Sequence, residues 1–207
     1  MTALINDVPL NYFFLCLAGG YLLGSLPFGL ILTRLGGYGD LRKMGSGNIG
    51  ATNVLRTGNK PLALATLLLD SGKGALAVLL AWLIFGEVSL LYFAGGGAFL
   101  GHLYPIFLEF KGGKGVATFM GTLLAINWPL GLACCLTWGI VTMLFRISSL
   151  SALGAAALSP LYGYFIFKDF PLAVFATILS VMIFIRHKDN IRRLLSGTEP
   201  RIGRKTP

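Results

Sequence analysis

Cations, hydroxyls and carboxamides gather in one stretch that contains no acid: Lys43-Met44-Gly45-Ser46-Gly47-Asn48-Ile49-Gly50-Ala51-Thr52-Asn53-Val54-Leu55-Arg56. The side chains of Lys43, Ser46, Asn48, Thr52, Asn53 and Arg56, with the unobstructed backbone around Gly45, Gly47 and Gly50, form an inventory for holding a phosphate or another small anion. The glycines fit the pattern G-x-G-x-x-G, but a dinucleotide fingerprint needs a preceding strand and a βαβ unit, and here an apolar run precedes. The pattern therefore implies anion binding by backbone amides, with a short helix expected near 51–56. A solvated, flexible loop is the competing reading.

Three further constellations carry chemistry. Asp70 and Lys73 lie in an apolar run at i, i+3, on one helix face. Ions inside a membrane are costly, so they form either a structural pair or a device in which Asp70 orients Lys73 toward the anion. In the block from His102 to Thr118, Lys111-Gly112-Gly113-Lys114-Gly115 is not a Walker A loop, because the upstream glycine is missing and Gly115 replaces Ser/Thr. It can form an anion-binding nest, or a tight turn with snorkelling lysines. His102 precedes it, as a packed ring or a substrate contact. Finally, His187 and Asn190 stand one helical turn apart in a basic segment with Ile191, Leu194 and Leu195 that suits the membrane interface, and Gly197 is expected to end its helix.

The elements that must position these groups are membrane helices. Of the 207 residues 55% are hydrophobic, with mean hydropathy +0.76, too much apolar surface for a soluble core. Apolar segments cover about 11–32, 61–85, 89–110, 116–128, 129–145, 147–167 and 170–185, and a crossing needs roughly 17–25 residues. The sequence thus predicts an all-α polytopic protein with seven transmembrane helices, with five as the fallback count; 116–145 is long for one span and short for two, and Asn127-Trp128-Pro129 is the natural break there. The whole chain, 1–207, reads as a single integral-membrane domain.

Charge sets the orientation. With the N-terminus outside and seven spans, all 17 lysines and arginines except Lys73 and Lys168 fall inside, as the positive-inside rule requires. The loop at 43–56, the loop at 111–115 and the basic C-terminal tail then share the cytoplasmic face. The net charge of +9 marks that face and anionic headgroups. Without interleaved aromatics it does not indicate nucleic acid. Cys16, Cys134 and Cys135 are odd in number and lie in apolar runs, so no disulfide framework is expected. With only His102 and His187 no metal constellation is visible, and no metal or cofactor is expected. The first apolar run lacks a basic n-region and reads as a retained span. Small residues, Gly19, Gly20 and Gly24, Gly95, Gly96, Gly97 and Gly101, and Ala152, Gly154, Ala155, Ala156 and Ala157, suit close helix packing.

Four blocks in order, Gly24-Ser25-Leu26-Pro27-Phe28-Gly29, the stretch from Gly45 to Asn53, Lys111-Gly112-Gly113-Lys114-Gly115-Val116-Ala117 and His187-Lys188-Asp189-Asn190-Ile191-Arg192-Arg193-Leu194, resemble the bacterial acyl-phosphate:glycerol-3-phosphate acyltransferase family. The resemblance implies a seven-span enzyme of the bacterial inner membrane with its site facing the cytoplasm. It implies transfer of a fatty acyl group from acyl phosphate to the sn-1 hydroxyl of glycerol 3-phosphate. Lysophosphatidic acid and phosphate result, in the first acylation step of phospholipid synthesis. Membrane lipid and an enzyme that makes acyl phosphate are the implied partners. The His-x4-Asp pair of better-known acyltransferases is absent: five residues beyond His102 is Phe107, and beyond His187 is Arg192.

On this reading the catalytic set is Ser46, Arg56, His187 and Asn190. Ser46 and Arg56 bind one phosphate, Lys114 and the Gly112 and Gly113 backbone neutralise the acyl phosphate, Asn48 and Asn53 hydrogen-bond within the site, and His187 and Asn190 position the hydroxyl or the carbonyl. Lys43, Gly47, Thr52, Lys73, His102 and Lys111 complete the substrate-binding set. An acyl phosphate is already an activated anhydride, so no enzymic nucleophile is required, and either the substrate phosphate or His187 takes the proton. The alternative from another class is a membrane transporter of small anions or phosphate esters, which would need polar residues through both halves of the membrane.

Overall fold

The computed structural model describes residues 8–203, and all regular structure among them is helical. Arg204 and Lys205, expected among the inner cations, lie outside the described residues. Two compact units divide the chain after Ile126.

The first unit begins with α1 (Leu10–Gly24) and α2 (Phe28–Leu35), separated at Ser25-Leu26-Pro27. Proline fixes its own backbone and lacks an N–H, so the helix restarts with Pro27 at its N-cap. A short helix α3 (Ala51–Val54) follows the acid-free loop, where one was expected. Asn59 then caps α4 (Lys60–Phe85), its side chain accepting the Leu62 N–H at 2.9 Å, with Pro61 in the first turn and Gly86 ending the helix in the left-handed region. α5 (Val88–Leu103) and α6 (Val116–Ile126) complete the unit. α1 packs along α5, and α4 packs against α6. The first contact is backbone against backbone: a Cβ on Gly24 would overlap the Ala98 carbonyl, and one on Gly101 would overlap the Tyr21 carbonyl. With no hydrophobic force between helices in lipid, such close approach supplies the van der Waals attraction.

In the second unit Asn127 caps α7 (Trp128–Phe145) and Asp169 caps α9 (Phe170–Arg186), each with a proline in the first turn. Between them α8 (Ser148–Leu161) buries Ala152, Ala155 and Ala156, packs against both neighbours, and runs through Pro160 into a π-turn, Tyr162–Ile166. α10 (Lys188–Leu195) follows α9 with a bend of 66°. It ends as expected at Gly197, whose φ is +71°, with Thr198 N–H bonded to the Arg193 carbonyl and Gly197 N–H to that of Leu194.

Among the described residues five segments are long and apolar enough to cross a membrane: Leu10–Leu35, Lys60–Phe85, Val88–Leu108, Trp128–Phe145 and Ser148–Ile166. Counted as one span, the bent pair α9 and α10 makes a sixth. The segment read as a span at 116–128 contains only the 11 residues of α6, about 16 Å of helix against a hydrocarbon core of about 30 Å. Its N-terminal neighbours are not helical. They fold back along α5. Cys16, Cys134 and Cys135 are free thiols.

Candidate active site

The acid-free loop is packed rather than solvated. Leu41, Ile49 and Val54 are fully buried with Leu30 of α2 and Ala63 of α4, and Leu108 packs against the cluster. Burial of each such side chain contributes about 1.5–3 kcal/mol, enough to hold a glycine-rich segment in one course. Asn53, 2% exposed, ties the remainder. Its Oδ1 accepts the Ser46 N–H at 3.1 Å, and its Nδ2 donates to the carbonyls of Leu41, Met44 and Asn48 at 3.2, 3.0 and 2.8 Å. The carboxamide of Asn53, expected to bind substrate, is therefore committed to the loop itself. Asn48 Oδ1 accepts the N–H of Ile49 at 3.0 Å. Lys43, Ser46, Gly47, Thr52 and Arg56 stand exposed at the rim, while Arg56 and Asn53 close over Gly45.

The second loop differs from its expected form. The N–H groups of Gly112 and Gly113 donate to the carbonyls of Leu103 and His102, at 3.2 and 3.0 Å. The last turn of a helix leaves such carbonyls without intrahelical partners, and residues 111–115 act as a strap across the end of α5. The anion nest expected of the Gly112 and Gly113 amides is thus replaced by a helix cap. Glycine is required for the closeness: a Cβ on Gly113 would overlap His102 Nε2. Lys111 is exposed and 3.5 Å from Glu109, whereas Lys114 is half-buried.

Lys73 and His102, also expected to touch substrate, are buried instead. Lys73 Nζ lies 3.1 Å from Asp70 Oδ1 and donates to the Leu26 carbonyl at 2.9 Å; His102 Nδ1 lies 3.7 Å from the same Asp70 oxygen. The three side chains are 1–4% exposed.

In the second unit, His187 and Asn190 are buried at the junction of α9 and α10. His187 Nδ1 lies 2.8 Å from the Ile183 carbonyl. A carbonyl can only accept, so Nδ1 carries a proton, and in the neutral form of the ring the lone pair lies on Nε2. Asn190 Nδ2 donates to Glu199 Oε1 at 2.5 Å; Ser149 Oγ and Arg193 Nε also donate to Glu199, at 2.7 and 2.6 Å. Glu199 had no expected role. Burial would raise its pKa, but these three donors outweigh it and hold the carboxyl below its usual range. A second acid after Asp189, closing a basic segment, was the only signal in the sequence.

The family profile described as glycerol-3-phosphate acyltransferase matches residues 14–197. The chain belongs to the glycerol-3-phosphate acyltransferase family. Curated acyltransferases of that name include one from Cereibacter sphaeroides, 62% identical over 186 residues (90% of this chain, 88% of the relative), and one from Caulobacter vibrioides, 57% identical over 194 residues (93% and 89%). Among solved structures, PlsY (YgiH), an integral membrane glycerol 3-phosphate acyltransferase, superposes in its glycerol 3-phosphate form with a TM-score of 0.85 at 37% identity, covering 92% of this chain and 96% of that one. Its lysophosphatidic acid form gives 0.84 at 36%, covering 92% and 95%. The present acyltransferase thus shares both sequence and fold with an integral membrane enzyme.

Proposed function

We propose that this acyltransferase moves a fatty acyl group from acyl phosphate to the sn-1 hydroxyl of glycerol 3-phosphate, releasing lysophosphatidic acid and phosphate. The observation that carries the reading is the acid-free loop, held by Asn53 so that Lys43, Ser46 and Arg56 remain at its rim. Family membership and the two ligand forms of PlsY support it. Ser46, Arg56 and Lys43, with Gly47, Asn48 and Thr52 beside them, receive a phosphate; Lys114 neutralises the other, with Lys111 exposed outside that contact. The hydroxyl oxygen attacks the acyl carbonyl carbon, the bond from that carbon to the phosphate oxygen breaks, and the hydroxyl proton passes to the departing phosphate or to His187 Nε2. Asn190 orients the attacking group. Most of the acceleration comes from positioning and charge neutralisation, since the anhydride is already activated. Purified protein given glycerol 3-phosphate should use palmitoyl phosphate and not palmitoyl-CoA; the reverse preference overturns the donor assignment.

The same reading places the enzyme in a bacterial inner membrane, N-terminus outside, with seven crossings forming one acyltransferase domain and the site facing the cytoplasm; α6 makes the short crossing, where a thinned bilayer and its flanking residues make up the missing length. The distribution of lysines and arginines supports it. An enzyme that makes acyl phosphate is its natural partner. Single cysteines at Lys60, Lys114 and Arg201, in a chain whose own three cysteines are replaced, should all react with an impermeant maleimide from the cytoplasmic side alone. Labelling of any one from outside sinks the topology.

A further inference from the structure

The proposed chemistry leaves three buried ionisable side chains unused. Asp70, Lys73 and His102 meet inside the first unit, and removing such charges from water costs several kcal/mol per ion unless each is compensated. Two of the compensating contacts lead outward. Lys73 Nζ donates to the carbonyl of Leu26, at the break between α1 and α2, with the Phe28 ring 5.9 Å away. At the start of α2, Gly29 approaches so near the Ile49 carbonyl of the acid-free loop that a Cβ there would overlap it. On the other side the His102 ring lies against Gly113, next to Lys114. Thr118, two residues into α6 from its start at Val116, bonds the Asp70 carbonyl at 2.8 Å and fixes the far end of the strap.

We propose that Asp70, Lys73 and His102 are positioning residues that set the acid-free loop and the 111–115 strap relative to each other. The cluster reaches one loop through Leu26 and α2, and the other through Gly113. None of the three touches substrate. The distance between the cations at the loop rim and Lys114 is the quantity they control, and it must match the spacing of two substrate phosphates. The inference rests on the functional reading above.

The test is a double-mutant cycle on the full chain in lipid vesicles, with kcat/KM for acyl transfer as one readout and trypsin cleavage after Lys111 and Lys114 as the other. Asp70→Asn should lower kcat/KM about tenfold, since small misplacements near a reacting centre carry such losses. Lys114→Ala should then cost distinctly less in the Asp70→Asn background than in the wild type, because part of its contribution is already gone. Strap cleavage should accelerate several-fold in Asp70→Asn while cleavage after Arg201 stays unchanged. Additive losses, or strap cleavage at the wild-type rate, overturn the proposal. If Asp70→Asn does not accumulate, His102→Gln enters the same cycle with the same expectations. Should the wild-type chain transfer no acyl group, the functional reading falls, and strap cleavage still decides the positioning role.

Discussion

Asn53 Oδ1 accepts the backbone N–H of Ser46 at 3.1 Å, so one carboxamide closes a loop of eight residues, Ser46 to Asn53, through two glycines. The other end of the same group serves three carbonyls, so the contacts are directional: the nitrogen must face the Leu41, Met44 and Asn48 oxygens. Asn53→Asp keeps the acceptor for Ser46 and turns an anionic oxygen toward those carbonyls. Leaving buried groups unpaired costs about 1–3 kcal/mol each. Asn53→Asp should lower thermal stability and raise KM for glycerol 3-phosphate at least tenfold, more than Asn53→Ser does. Steady-state kinetics with both variants decide it.

Glu199 should make stability depend on pH. Its folded pKa lies below the ordinary 4.5, so its contribution is complete above the unfolded value and fades as pH falls through the folded one. Glu199→Gln should therefore melt below the wild type at pH 7, and the gap should close in acid, below about pH 4. Thermal unfolding in detergent at several pH values measures this. A gap that stays constant would mean that the charge is irrelevant.

The two lysines of the strap should differ sharply. Lys111 is 81% exposed beside Glu109, itself 88% exposed, and such pairs contribute at most about 1 kcal/mol. Lys111→Ala should leave kcat within about threefold of the wild type, whereas Lys114→Ala should lower it about a hundredfold, the scale on which removing one preorganised charge-stabilising donor acts. Comparable losses in the two variants would move the phosphate contact away from Lys114.

Two glycines of the same helix make an internal control for packing. Gly24→Ala must displace α5 at Ala98, whereas a Cβ on Gly19 meets nothing within 4 Å. The first should destabilise by about 1–3 kcal/mol, and the second should be neutral. Melting of the two proteins in the same detergent distinguishes them.

Much of this architecture is legible in the sequence for physical reasons. Proline after a capping Asn or Asp places the starts of α4, α7 and α9, and Asp70 and Lys73 at i, i+3 read as a pair. Apolar composition alone could not show that residues 111–115 lie along α5 and leave α6 with 11 residues, because a strap packed on a helix end and a span entering lipid use similar side chains. Nor could the spacing of Gly112 and Gly113 tell donors free for an anion from donors spent on carbonyls; the decision lies with Leu103 and His102, nine and eleven residues before them. Glu199 was hidden because its partners Ser149, Asn190 and Arg193 come together only when the tail folds back. Asn53 looked like a substrate ligand because a carboxamide that organises a loop and one that binds a phosphate ester are chemically the same.

The strap across the end of α5 also alters the local field. An uncovered helix C-terminus carries roughly half an electron of negative charge on its free carbonyls and repels anions. Two of those oxygens, on His102 and Leu103, are here turned to amide donors. A dianionic headgroup nearing Lys114 consequently meets a lysine ammonium beside a muted dipole, and the attraction of that single cation is not cancelled by the helix end that the strap covers.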